Sequence, residues 1–301
     1  MSWTREELHD LFLAGKIARL TLDQIGKHVK PGVSIGTLYD SIVKLITKTK
    51  GVDLAFPPNI SINECAAHDT AAPDPTEKRF ILKKALVKVD LGANVNGMLS
   101  DTAKTFSIDG KHFKLIRSAK DALDSAINII KPGLRVSEIG AIIQETIEGY
   151  GFKPIANLTG HELKKGNLHA GLSIPSIKSI PFAQRSKLKK GMILAIEPFS
   201  TQGAAGYVEE GSSPPLIYSS TGNPKTEIGK ILVKRFHKIP FSLRSATLFL
   251  KEKNQPIHNI AEVLDRDNFH GYRPLIEKTR GLVAQAEHTV LVTSNGVKVL
   301  T

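Results

Sequence analysis

The sequence predicts an α+β fold made of two related halves with an inserted subdomain, and three observations carry that prediction. A helix, a Lys-Pro-Gly turn and a second helix occur twice, around Val29-Lys30-Pro31-Gly32-Val33 and around Ile130-Lys131-Pro132-Gly133-Leu134. Two strand-like runs meet at Asn96-Gly97. Residues 205–271 differ from the rest, beginning Gly-rich and ending in polar, charged segments.

Residues 4–18 read as an amphipathic helix, with Thr4 as N-cap and Glu7 three residues on as a capping box. After the first Lys-Pro-Gly turn, Ser34 opens a second helix with Leu38, Ile42, Leu45 and Ile46 on one face. After the second turn, Ser137 opens a helix with Ile139, Ile143 and Ile147 inward. Shifting the chain by 101 residues matches Ile35 with Val136, Leu38 with Ile139, Ile42 with Ile143 and Ile46 with Ile147. Such a repeat argues for two structurally related halves.

Between the repeats, Phe56 to His68 is an extended run, and a Pro-rich loop follows to Pro75. The hairpin Val87 to Phe106 comes next. Asn-Gly is the strongest short hairpin signal, because a type I′ turn needs positive φ at both central residues. A two-residue loop there sets Val95 against Met98, Asp101 against Gly92 and Asp90 against Ala103. Side chains alternate along a strand, so Asp90 and Asp101 emerge on one face as diagonal neighbours. Two carboxylates that close repel unless a cation lies between them.

Asn157-Leu158-Thr159-Gly160-His161 and Leu168-His169-Ala170-Gly171 place two histidines in loop-like context. Gly191 to Phe199 is an apolar strand interrupted by Glu197, and Gly281 to Val292 is another, with Gln285, Glu287 and Thr289 on one face. A glutamate buried alone costs several kcal/mol, so these two also ask for a cation. The changed stretch, with helix-like segments at Leu248 to Lys253 and Ile257 to Leu264, separates the two acidic strands. The expected organisation is a main domain over residues 1–204, an inserted subdomain over 205–271 and the main domain's final strands over 272–301.

At 301 residues the chain can bury a sizeable core, and its 41% hydrophobic and 23% charged residues are those of an ordinary globular protein. The start has no apolar signal region and no run reaches membrane-spanning length, so a cytoplasmic location is expected. A single cysteine, Cys65, excludes an internal disulfide. The net charge of +12 is spread among acids and reads as a solvated lysine-rich surface, with ribosomal proximity as a second use.

Taken together and in order, Asp90, Asp101, His161, Glu197 and Glu287 resemble the metal ligands of the methionine aminopeptidases, and the insertion before Glu287 resembles the type 2 class in its short archaeal form. The likeness covers almost the whole chain, from Phe56-Pro57 to Ala284-Gln285-Ala286-Glu287-His288-Thr289. It implies a pita-bread (creatinase/aminopeptidase) fold with two pseudo-symmetric halves and a helical insertion. It also implies removal of the initiator methionine from nascent proteins whose second residue is small.

Four carboxylates sum to about −4, which two divalent cations balance and one does not. The resemblance has Asp101 and Glu287 bridge the two ions, with Asp90 completing one and His161 and Glu197 the other. A bridging water deprotonated by both ions is then the nucleophile. Oxygen-rich ligation with one imidazole leaves Co, Mn, Fe and Zn open.

His68 and His169 match the family's two substrate-side histidines, Glu197 also shuttles a proton, and Phe56 matches the aromatic wall of the methionine pocket. Type 2 enzymes are inactivated by fumagillin at the histidine that His68 matches. The family commonly has His and Asp where this chain has Asn94 and Asn96, and Phe where it has Ala286; none of these is a ligand. The expected partners are nascent polypeptide N-termini, with the ribosome surface a candidate contact, no membrane, no sequence-specific nucleic acid, and a monomeric state. A proline-specific peptidase on the same fold would carry an added N-terminal domain, and a binding protein without activity would have lost ligands.

Overall fold

Each half opens on a pair of helices joined by the Lys-Pro-Gly turn. In the structure, a computed structural model that describes residues 3–178, 186–258 and 260–301, these are α1 (Arg5–Ile25) with α2 (Ile35–Thr47), and α3 (Phe113–Ile129) with α4 (Val136–Gly149). The Thr4 hydroxyl accepts from Glu7 N and the Glu7 carboxylate accepts from Thr4 N, both at 3.1 Å, closing the capping box. α1 runs past the expected residue 18 because Thr21, Leu22 and Ile25 extend its buried face. Ser34 caps α2, accepting from Gly36 N. The second pair departs from expectation: α4 begins at Val136, so Ser137 lies inside its first turn, and Glu138 reaches back to Arg135 N at 2.9 Å. Val136 is the repeat mate of Ile35, so both second helices start at the same place in the repeat.

The repeat extends further than the helices. Gly32 N donates to Ile81 O, Ile81 N to Val33 O and Ile35 N to Arg79 O. In the second half Gly133 N donates to Leu188 O, Leu188 N to Leu134 O and Val136 N to Ser186 O. Each turn is thus stitched to a short extended segment just before the strand that brings in a carboxylate. Gly32 and Gly133, at φ 81 and 89, supply the left-handed backbone the turn requires.

The two halves share a ten-stranded sheet. Its main path runs Ser173–Pro175, Thr159–Leu163, Ile193–Ile196, Val283–Val292, Thr102–Ser107, Leu86–Leu91 and Asn59–Ile62, in that spatial order. The seam is the antiparallel pair Val283–Val292 and Thr102–Ser107, centred where Glu287 faces Ala103. Two threonines pin it reciprocally. Thr105 Oγ1 donates to Gln285 O (2.7 Å) and accepts from Gln285 N (2.8 Å); Thr289 Oγ1 donates to Asp101 O (2.7 Å) and accepts from Asp101 N (2.7 Å). A two-fold axis through the seam exchanges these bonds and carries Asp90 toward Glu197.

The expected hairpin forms, with Val95 opposite Met98 and Asp90 opposite Ala103, and with Asn96 and Gly97 at φ 50 and 86. It does not stay in one sheet. Ala93–Val95 and Met98–Leu99 leave the large sheet for a three-stranded one, in which Ala93–Val95 lies between Val52–Leu54 and Met98–Leu99. The bend falls at Gly92, where a Cβ would lie 2.1 Å from the Ser100 carbonyl oxygen. The two asparagines that depart from the family pattern hold the tip: Asn94 Oδ1 accepts from Gly97 N, and Asn96 Nδ2 donates to Asp10 of α1.

Apolar side chains of α1, α2 and the sheet form one core cluster, and those of α3, α4 and the sheet form another. Residues 205–271 contribute α5 (Glu227–Phe236), α6 (Leu243–Glu252) and α7 (Ile260–Arg266), with strands Ile217–Ser220 and Phe241–Ser242. Their apolar cluster includes Tyr218, Leu232, Phe241, Leu250, Leu264 and Phe269. α6 starts earlier than the segment read from sequence because Ser242 caps it. A buried Arg244 ties this group to the first half, donating to Asp40 at 2.9 and 2.7 Å, to Asp74 at 2.8 Å and to Ala72 O at 2.9 Å. Tyr39 OH adds bonds to Ser242 and Ser245. No helix among the described residues is long and apolar enough to cross a membrane.

The hairpin yields a comparison of two glycines. Gly97→Ala meets the flexible Lys165 side chain at 3.1 Å and the Gly166 backbone only at an ordinary 3.6 Å, and pays the left-handed penalty of about 1 kcal/mol. Gly92→Ala meets backbone that cannot withdraw, so chemical denaturation is expected to show a loss of about 3 kcal/mol or more. Equal losses at the two positions would contradict the close approach at Gly92.

Candidate metal centre

Strand register alone brings the five ligand-type residues together. One row across the sheet reads Asn59, Asp90, Ala103, Glu287, because each faces the next on the neighbouring strand. Two residues along, Thr289 is bonded to Asp101 and faces Ala195, which faces His161. Residues two apart on a strand share a face, so Asp101 joins Ala103, and Glu197 joins Ala195. Asp90, Asp101, His161, Glu197 and Glu287 therefore all rise from one face of one sheet.

His161 Nε2 lies 3.5 Å from Asp101 Oδ2 and 3.5 Å from Glu197 Oε1. Ligand atoms of Asp101, His161 and Glu287 fall within 4.8 Å of one another. All three residues are buried, Glu287 to 1% exposure. One oxygen each of Asp90, Asp101 and Glu287 is buried without a hydrogen-bond partner among the described residues. Among the described residues no lysine or arginine is in salt-bridge range of the four carboxylates; His161 is their only such partner.

Protonation follows from that arrangement. Burial, and then the charges of Asp101, Glu197 and Asp90, hold Glu287 well above the usual carboxylate range. Burial followed by Asp101 does the same to Asp90 and to Glu197. Burial pushes Asp101 up to about 7. The protein without cations must keep protons on part of this cluster. Orphaned oxygens, acceptor-only donors and one imidazole fit divalent metal ions. Gln285 Nε2 donates to Glu287 Oε2 at 3.3 Å and so orients that carboxylate from the next position on its face.

The two further histidines stand at the same cavity, about 130 Å³ in volume, lined also by Phe56. His68 ends the strand Cys65–Ala67 at φ 62, a backbone that L residues avoid and that turns it into the cavity wall. Its ring packs edge-on against Tyr272, with centroids 5.5 Å apart. The His169 ring lies 4.3 Å from that of His161. Burial, reinforced by His169, lowers His68 to about 4, and burial with His161 lowers His169 to about 4. Both rings are neutral at pH 7. A larger groove of about 680 Å³ between α2 and α5–α6 shares only Pro57 and Pro240 with this cavity and holds none of the five ligand-type residues.

Sequence reasoning missed part of the wall. Tyr272, Ile217 and Pro240 line the cavity from the edge and interior of the changed stretch, where nothing in the local pattern marks them. Asn59 lines it too. The alternation of Asn59 and Ser61 with Ile60 and Ile62 was the available signal, since it puts the polar pair on the face that Asp90 shares.

Residues 11–294 match the profile described as metallopeptidase family M24. The chain is 36% identical over 304 residues to a protein named methionine aminopeptidase from Saccharolobus solfataricus, covering 99% of both. It is 35% identical over 302 residues to one of the same name from Thermococcus onnurineus, covering 98% of this chain and all of that one. Among solved structures it resembles the methionine aminopeptidase of Thermotoga maritima, at 24% identity and a TM-score of 0.72, over 99% of this chain and 98% of the other. It also resembles a thermophilic Arx1, at 16% identity and 0.81, over 99% and 91%; both likenesses show the pita-bread fold alone. The profile and the relatives together place the chain in metallopeptidase family M24, with the methionine aminopeptidases.

Proposed function

We infer that this chain removes N-terminal methionine from nascent proteins whose second residue is small, as a type 2 methionine aminopeptidase. The observation that carries the reading is the buried set Asp90, Asp101, His161, Glu197 and Glu287 on one sheet face, in a chain of this family. We assign two divalent ions to it on the balance of charge; Asp90, Asp101, His161, Glu197 and Glu287 would hold them. When bound, such ions supply Lewis acidity toward the scissile carbonyl and the attacking water. We assign to Glu197 the transfer of a proton from the attacking water to the leaving amine. His68 and His169, neutral at pH 7, each offer one accepting ring nitrogen and one ring N–H, the first suited to the peptide N–H and the second to the developing oxyanion. Phe56 walls the methionine side chain. Residues 205–271 act as an inserted subdomain that closes one side of the cleft, a role supported by Ile217 and Pro240 at the cavity and by the Arg244 tether. The net charge of +12 supports a basic surface that meets the ribosome.

The substrate reading is tested by turnover of Met-Ala-Ser against Ala-Pro peptides; release of methionine from the first and no cleavage of the second is expected. Glu287→Gln should keep the fold, because one carboxylate oxygen is replaced by an isosteric amide, yet lower kcat by about 100-fold or more. A variant with two metals per chain by elemental analysis and near wild-type kcat would contradict Glu287 as a metal ligand.

Cation binding should depend on pH in a stated direction. Raised carboxyl pKa values mean that protons compete with the ions below about pH 7, the value for Asp101. In the ion-free protein those carboxyls, with folded values above the unfolded ones, contribute stability that is lost as pH rises. The lowered histidines act oppositely, so the cation-induced rise in Tm is the quantity to read. It should be larger at pH 7.5 than at pH 5, and a larger rise at pH 5 would contradict the cluster as described.

Type 2 character is tested with fumagillin. A neutral His68 ring nitrogen can open the epoxide, giving a covalent adduct located by peptide mass spectrometry. His68→Ala should abolish labelling and His169→Ala should retain some. Labelling elsewhere, or none on the metal-loaded protein, would remove His68 from this role.

A further inference from the structure

We propose that the carboxamide oxygen of Asn59 receives the free α-amino group of the substrate, so that Asn59 selects peptides with an unblocked N-terminus. This rests on the aminopeptidase reading above. Asn59 is 7% exposed, faces Asp90 across the ladder, and lines the cavity beside Phe56 and His68. Its Nδ2 donates to Pro57 O at 2.9 Å. A carbonyl oxygen only accepts, so that bond fixes which end of the amide is which. Oδ1 is then a buried acceptor with no hydrogen-bond partner among the described residues. Buried acceptors are rarely left unpaired, and one in a cavity wall is open to a donor that arrives with the ligand.

The chemistry narrows the donor. The methionine side chain offers no N–H or O–H, and the peptide N–H is already faced by the histidines. The α-amino group remains. The carboxylates in the row are taken up by cations, whereas Asn59 is a neutral acceptor at the end of the same row, one strand beyond Asp90. An N-acetylated residue has lost the freely rotating amine and adds bulk in a cavity of about 130 Å³.

The test is a ligand-by-variant cycle, which cancels any general loosening of the pocket. Mn²⁺-loaded wild-type protein and Asn59→Leu, similar in volume but without an acceptor, are titrated calorimetrically with L-methionine and with 4-(methylthio)butanoate, which lacks only the amine. The affinity of Asn59→Leu for methionine should fall about 10-fold or more while that for the desamino ligand stays within about twofold, as for loss of a hydrogen bond to a charged or polarised group. Asn59→Ser, which empties the position rather than filling it, is read the same way if the leucine variant does not fold. Metal content should be unchanged in both. Equal losses for the two ligands, or no loss for either, overturn the assignment. If wild-type protein releases no methionine from Met-Ala-Ser, the aminopeptidase reading itself fails; an active wild type with equal losses removes Asn59 alone.

Discussion

Repulsion among four carboxylates on one sheet face is the constraint to which the remaining structure answers. A pair of like charges about 4 Å apart at an effective dielectric of 20 costs about 4 kcal/mol. Several such pairs approach the whole stability of an ordinary domain, about 5–15 kcal/mol. The cluster therefore exists only with protons or cations in it, and the raised values of Asp90, Asp101, Glu197 and Glu287 are the protonated answer. What the fold supplies is rigidity against that repulsion: central strands, reciprocal threonine bonds, and a core cluster behind each half.

Much of this was legible in the chain. Asn96-Gly97 set the hairpin register, and register set the common face of Asp90 and Asp101, because strand side chains alternate without exception. Glu197 and Glu287 stood out as charges in apolar strands, which physics allows only with compensation. The 101-residue repeat announced the pseudo-symmetry through its glycine turns, whose left-handed backbone few other residues adopt. Family likeness supplied the order of the five candidate residues, and the ladder pairs show independently that this order converges on one face.

Other features left no trace that local reasoning could use. The start of α4 at Val136 was masked by Ser137, a good cap residue one repeat position too late. Segments 79–81 and 186–188 are too short for periodicity to register, although they stitch both turns. The bend at Gly92 is a contact with Ser100 eight residues on, and Tyr272 reaches the cavity by tertiary packing alone. Ligand positions are written in pairing rules, whereas the shape of the cavity is written in long-range packing, and only the first kind is read from one chain.

The strand Val283–Val292 lies in the middle of the large sheet although it comes late in the sequence. During synthesis, Thr102–Ser107 and Ile193–Ile196 are made long before the strand that must lie between them. Until it arrives each half presents an unpaired edge, the arrangement most prone to pairing with a foreign strand. From the completion of Ile193–Ile196 until Val283–Val292 emerges the growing chain thus carries two open β-edges, and closing them is the same event that first brings all four carboxylates together.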